Sequence, residues 1–179
     1  MKFLRKTRNK IILIILISIL VFAAWESGLE VIYARTLVGT SNVVLSIVKD
    51  ETHIELEKNY DKYQFRVYTL VQGMKGYYPQ ELGGLLQPFV IVLSWQIFLF
   101  FVLRIRTAFA SLGMNVGTFL LIQVFLLYLL TGYYNAETNK FIYTSMLDSF
   151  YVIAVILVIK DNLLYRVFGK SVFLRKAVQ

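Results

Sequence analysis

A chain of 179 residues that is 58% hydrophobic and 16% aromatic, with a mean hydropathy of +0.62, holds more apolar side chain than one soluble core needs, and the excess is gathered in segments. The lack of cysteine excludes disulfides, thiolate nucleophiles and Cys-ligated metals, and a single histidine, His53, excludes a multi-histidine metal site. The formal net charge of +8 does not indicate a nucleic-acid partner, because its distribution along the chain has a simpler cause, set out below.

Residues 1–10 form a basic tail with Lys2, Arg5, Lys6, Arg8 and Lys10, and the apolar run 11–25 follows as a first transmembrane helix. Such a start resembles a secretory signal, but Ala23-Ala24-Trp25 makes a poor cleavage site and Phe3 and Leu4 lengthen the span, so an uncleaved anchor is expected. Residues 26–84 form the one sizeable piece outside the spans. Leu29, Ile32, Ala34 and Leu37 have helical spacing, as of a helix lying along or leaving the membrane. The period then changes. Val43–Val48 is rich in β-branched residues, Thr52–Glu57 alternates, and Tyr63, Phe65, Val67, Thr69 and Val71 share one strand face. With turns at Lys49-Asp50-Glu51 and Lys58–Asp61, this predicts a small antiparallel sheet of about three strands. A sheet of that size needs a membrane surface or a partner to lie against.

The stretch Gly76–Phe89 contains both prolines. Tyr77 and Tyr78 suit an interface, Pro79 and Gly83-Gly84 end the strand region, and Pro88 fits the first turn of a second helix, so the stretch predicts a membrane-entry hinge. Three further spans follow, at 85–103, 108–133 and 141–159, the last continuing into the amphipathic Asp161–Phe168 before the basic tail 160–179. Helices are the natural spanning elements, so the expected fold is mainly α and membrane-embedded, with four transmembrane helices and a small β-rich extracytoplasmic segment between the first two. Twelve Lys and Arg residues fall on the side of the two tails against one acid, Asp161, while seven face nine acids on the other. Both termini are therefore expected in the cytoplasm, with the chain in the inner membrane and membrane lipids as its first partners.

Polar residues at membrane depth are costly and often functional. They are Gln96, Asn115, Gln123 and Asp148, of which Asp148 is the best placed for a proton or cation role, and a helix-packing hydrogen bond is the plainer alternative. Gly113 and Gly117, four apart, share a helix face and fit close packing within the bundle or against a partner helix. On the outer segment Tyr63, Phe65 and Tyr68 are candidates for contact with a partner, and His53, Glu55 and Glu57 share a strand face that is either a weak metal site or a solvated one. No Gly-x-Ser-x-Gly elbow, phosphate loop or dinucleotide fingerprint occurs, so neither catalysis nor a cofactor is expected.

One helix, a β-rich outer segment ending in a Tyr/Pro/Gly stretch, and three closely spaced helices together resemble the small membrane proteins associated with exosortases. The residues carrying the likeness are Tyr63–Val71 and then Leu85–Leu93, with Pro88 at the entry to the second helix. The resemblance implies an accessory to a membrane transpeptidase that processes surface proteins. The transpeptidase itself requires a cysteine, which this chain lacks. The expected function is thus a non-enzymatic accessory subunit of a larger membrane assembly, in contact with another integral membrane protein. A small transporter or channel subunit using the four polar residues is the alternative, and an outer binding module held by its helices is a third possibility.

Overall fold

The computed structural model describes residues 7–49, 51–60, 62–71 and 73–168. The tail residues Lys2, Arg5, Lys6, Lys170, Arg175 and Lys176 and the turn residues Asp50 and Asp61 lie outside these. The described chain is mostly helical, with one three-stranded antiparallel sheet.

Thr7–Ala24 forms α1, apolar nearly all round: Ile17 and Val21 are buried, while Ile12, Ile15, Leu16, Ile19 and Leu20 face outward. The chain then bends through a π-helical joint, Trp25–Leu29, where Gly28 takes φ 122°, a region a side chain enters only with strain. Ser27 Oγ donates to the Ala23 carbonyl at 2.6 Å, a back-bond of the kind that bends helices. Glu30–Val48 continues as α2, burying Ala34, Leu37, Ser41 and Leu45 along one stripe. The β-branched run Val43–Val48, expected to be extended, is therefore helical. Leu45 continues a stripe already buried in the core, and packing overrides a local preference of at most about 1 kcal/mol per residue.

The sheet is a meander of β1 (His53–Asn59), β2 (Lys62–Val71) and β3 (Met74–Glu81), with His53 opposite Tyr68 and Val67 opposite Tyr78. Its third strand is the stretch that was expected to be a hinge. Pro79 and Gly76 argue against a strand in sequence, but β3 is an edge, where a proline costs no ladder bond on the open side. Ile54, Phe65 and Val67 are buried with Leu82, Leu85 and Phe119, so the sheet and the helices share one core. The edge at β1 is closed by Asn42 of α2, which donates to the Ile54 carbonyl and accepts from its N–H, both at 2.8 Å.

A short α3 (Gly83–Leu86) leads to α4 (Pro88–Val102), with Pro88 in the first turn as expected. The 26-residue α5 (Ile105–Leu130) is about 39 Å long at 1.5 Å per residue and acts as a spine. α4 packs along it, and so does α2, with Tyr33 reaching Gln123 and Lys49 reaching Thr131. The expected last span is not straight: α6 (Glu137–Asp148) and α7 (Phe150–Tyr165) meet at Ser149 with a bend of 51°. Ser149 Oγ donates to the Ser145 carbonyl at 2.9 Å at this elbow. Thr7–Val48, Gly83–Val102 and Ile105–Leu130 are long and apolar enough to cross a membrane, and the bent α6–α7 pair makes a fourth if counted as one span.

Candidate functional site

The polar residues singled out in sequence fall in three places. Asp148 is exposed at the α6–α7 elbow, because α6 ends there, and it meets none of the other three. Gln123 is fully buried, yet both ends of its amide are used: Nε2 donates to the Leu85 carbonyl at 2.8 Å, and Oε1 accepts from the Tyr33 hydroxyl. Pro88 interrupts the helix just beyond Leu85, so the amide supplies a partner to a carbonyl in the broken turn. Gln96 and Asn115 converge on Asp161, a residue expected in the basic tail, at the start of the amphipathic continuation of the last helix.

Asp161 is 0% exposed, because α7 runs on to Tyr165 and carries the carboxylate between α4 and α5. Its Oδ2 accepts from Asn115 Nδ2 at 2.5 Å, Ser111 Oγ at 2.8 Å, Trp95 Nε1 at 3.0 Å and Gln96 Nε2 at 3.5 Å. Its Oδ1 has the Lys160 ammonium at 3.4 Å, and that ammonium also donates to Asn115 Oδ1 at 2.5 Å. Ser111 and Asn115 lie four apart on one face of α5, as Trp95 and Gln96 lie side by side on α4. A buried carboxylate is tolerated when charge-assisted donors surround it, and here three helices contribute them. Trp95, Lys160 and Asp161 were missed in sequence. The available signal was the helical pattern running past Ile159, which turns Asp161 onto the same side as Ala154.

Gly113 and Gly117 do not pack inside the bundle. Among the described residues a Cβ at either would meet nothing within 4 Å, so this face of α5 is open there. Of the outer candidates, Phe65 is fully buried and cannot meet a partner, since the inner face of β2 is the one turned to the helices. Tyr68 lies on the other face, stacked on His53 at 4.5 Å, with Tyr77 at 5.9 Å. Tyr63 is half-buried at the end of the sheet. Glu55 and Glu57 have separate partners: His53 Nε2 stands 3.7 Å from Glu55, and Arg66 pairs with Glu57 at 2.5 Å. Among the described residues no three acids or histidines are grouped to hold a metal.

Comparison with known protein families, with curated proteins and with solved structures gives no match to this chain.

Proposed function

We propose that the chain is an integral inner-membrane protein, with both termini cytoplasmic and residues 26–84 outside, that serves as a non-catalytic accessory subunit of a larger assembly, of the exosortase-associated kind its layout resembles. The observation that carries the membrane reading is an inversion of polarity. Ile, Leu and Val cover the outward faces of α1 and α7, while Gln96, Ser111, Asn115, Gln123 and Asp161 are inside at no more than 1% exposure. A soluble bundle arranges these the other way round, whereas lipid rewards it.

The accessory role is supported by how the interior polar groups are engaged. Asp161, Gln96, Asn115 and Gln123 are turned toward one another or toward backbone, so the fold uses them as fastenings. The open Gly113/Gly117 face, unused among the described residues, would let another helix approach closely. Purification of the tagged chain from its native membranes in mild detergent should bring a second integral membrane protein with it, released by Gly113→Leu with Gly117→Leu. Recovery of the wild type only as a monomer refutes the reading. The transport alternative would rest on Gln96 and Asn115 with Asp161, and unchanged flux in Asp161→Asn vesicles would remove it.

A further inference from the structure

A cleft of about 990 Å³ lies where three turns of chain meet: the π-helical joint after α1, the β1–β2 turn, and the junction of β3 with α3. Among the described residues its charged lining is Glu26, Glu30 and Glu81 against one cation, Lys62. No ion pair among the described residues engages any of the three carboxylates. Trp25, 1% exposed, brings its indole N–H to the same wall; it faces the Glu30 carboxylate yet makes no hydrogen bond of normal geometry. The joint sets this arrangement, since Gly28 at positive φ turns Glu26 and Glu30 toward the end of the sheet rather than along a straight helix.

We infer that this cleft binds an extended peptide segment bearing a lysine or arginine. Three carboxylates without an ion pair at a single cleft complement a cation. The volume is at the upper end for ligand sites and larger than a lone amine fills. Gln64 in the lining offers both a donor and an acceptor, as a peptide backbone requires. Gln87 keeps its amide N–H groups while its Oε1 accepts from Tyr151, and the buried indole N–H can donate to a carbonyl. Tyr60, 94% exposed at the rim, presents a free ring face to a guanidinium. The inference deepens the accessory-subunit reading by naming the chemistry its outer segment meets, and it is tested without any co-purified partner, so either can fail alone.

The full chain, labelled with ¹⁵N-tryptophan in nanodiscs of zwitterionic lipid, gives two indole N–H signals, assigned with Trp25→Phe. Titration with the capped peptide Gly-Arg-Gly-Arg-Gly is expected to move the Trp25 signal saturably and leave that of Trp95 in place. The peptide with both arginines replaced by glutamine should bind at least tenfold more weakly. The isosteric variant Glu26→Gln/Glu30→Gln/Glu81→Gln should lose a similar factor, its unmoved Trp95 signal showing that the fold is intact. A Trp25 signal that does not respond, or equal binding of the glutamine peptide, overturns the inference. So does spermidine binding as tightly as the arginine peptide, which would make the cleft a site for free amines.

Discussion

Replacing Asp161 by leucine isolates what the buried carboxylate does. The change removes the acceptor shared by Trp95, Ser111, Asn115 and Gln96 and the counter-charge of Lys160. If each of the four bonds contributed the average for interhelical bonds in membranes, about 0.6 kcal/mol, the loss would be about 2.4 kcal/mol. Stranding a donor in a dry interior costs more, about 1–3 kcal/mol each. Three of the donors have somewhere to go: Ser111 Oγ is already 3.3 Å from Gln96 Oε1, Asn115 Nδ2 is 3.3 Å from Ser111 Oγ, and the Lys160 side chain, 30% exposed, can turn to water. Trp95 does not, and its stranded N–H added to the lost bonds places Asp161→Leu at about 3–5 kcal/mol, the usual cost of breaking one half of a buried pair. Asp161→Asn keeps an oxygen for one or two donors and should cost about 1–2 kcal/mol. Reversible unfolding in mixed micelles, followed by tryptophan fluorescence, measures both. An Asp161→Leu variant within about 0.5 kcal/mol of wild type would show that the cluster contributes nothing, and the argument would fall.

Asn42→Ala strips both partners from the Ile54 backbone and should cost about 2 kcal/mol, with faster hydrogen exchange at Ile54 and little change in α4. Tyr78→Phe removes the hydroxyl bond to the Leu130 carbonyl, worth about 1 kcal/mol. Burial pushes the Tyr78 phenol above its ordinary value, so the folded state holds its proton where the unfolded state begins to lose it; the wild type's advantage over Tyr78→Phe is whole below about pH 10 and shrinks as pH rises past it, as paired melting curves will show. Gly28→Ala meets no atom within 4 Å, so its expected cost of about 1–2 kcal/mol is entirely conformational, and a thermal shift of zero would mean that the joint straightens freely. Gly117→Ala lies in regular helix with equally open space and should instead stabilise the isolated chain, by up to about 1 kcal/mol, while weakening co-purification of a partner.

Apolar runs and strand alternation made the helices and two of the three strands legible, because both signals come from one residue's neighbours along the chain. Pro88 in a first helical turn, and Tyr63 to Val71 on one face, follow from such local rules. The third strand was hidden because Pro79 and Gly76 are unfavourable in a paired strand, and only its place at the sheet edge makes them harmless. Val43–Val48 misled for the reverse reason: its residues suit a strand, but α2 is held by a stripe that begins nine residues earlier at Ala34. The candidate site was half legible. Gln96 and Asn115 stood out as polar residues in apolar helices. The acid they serve, Asp161, falls with the basic tail in sequence even though the helix is expected to run on past it, because which face of a helix turns inward is set by its packing partners. Asp148 stood out most in sequence and is not part of the site: it lies exposed at the end of α6, beside the elbow at Ser149.

The interior polar residues divide by what they satisfy. Gln123 serves the Leu85 carbonyl beside the proline break, Asn42 the open edge of β1, and Tyr78 the last carbonyl of α5. Gln123 and Asn42 answer backbone groups that the fold itself leaves bare, so any sequence adopting this fold needs some polar group there, whereas the Leu130 carbonyl also accepts from the Tyr133 N–H at 3.0 Å. The Asp161 cluster answers no backbone group. Its donors and acceptors are all side chains, and an apolar set of similar volume could fill the same space without loss of stability. What such a set could not do is fix the register of α4, α5 and α7, because leucines tolerate sliding and rotation that a carboxylate held by four donors does not. α5 presents the open Gly113/Gly117 face on the same turns that carry Ser111 and Asn115 inward. Holding the inner side of those turns in one orientation therefore holds the outer side as well, and a partner helix would meet a surface whose rotation is set from within the bundle.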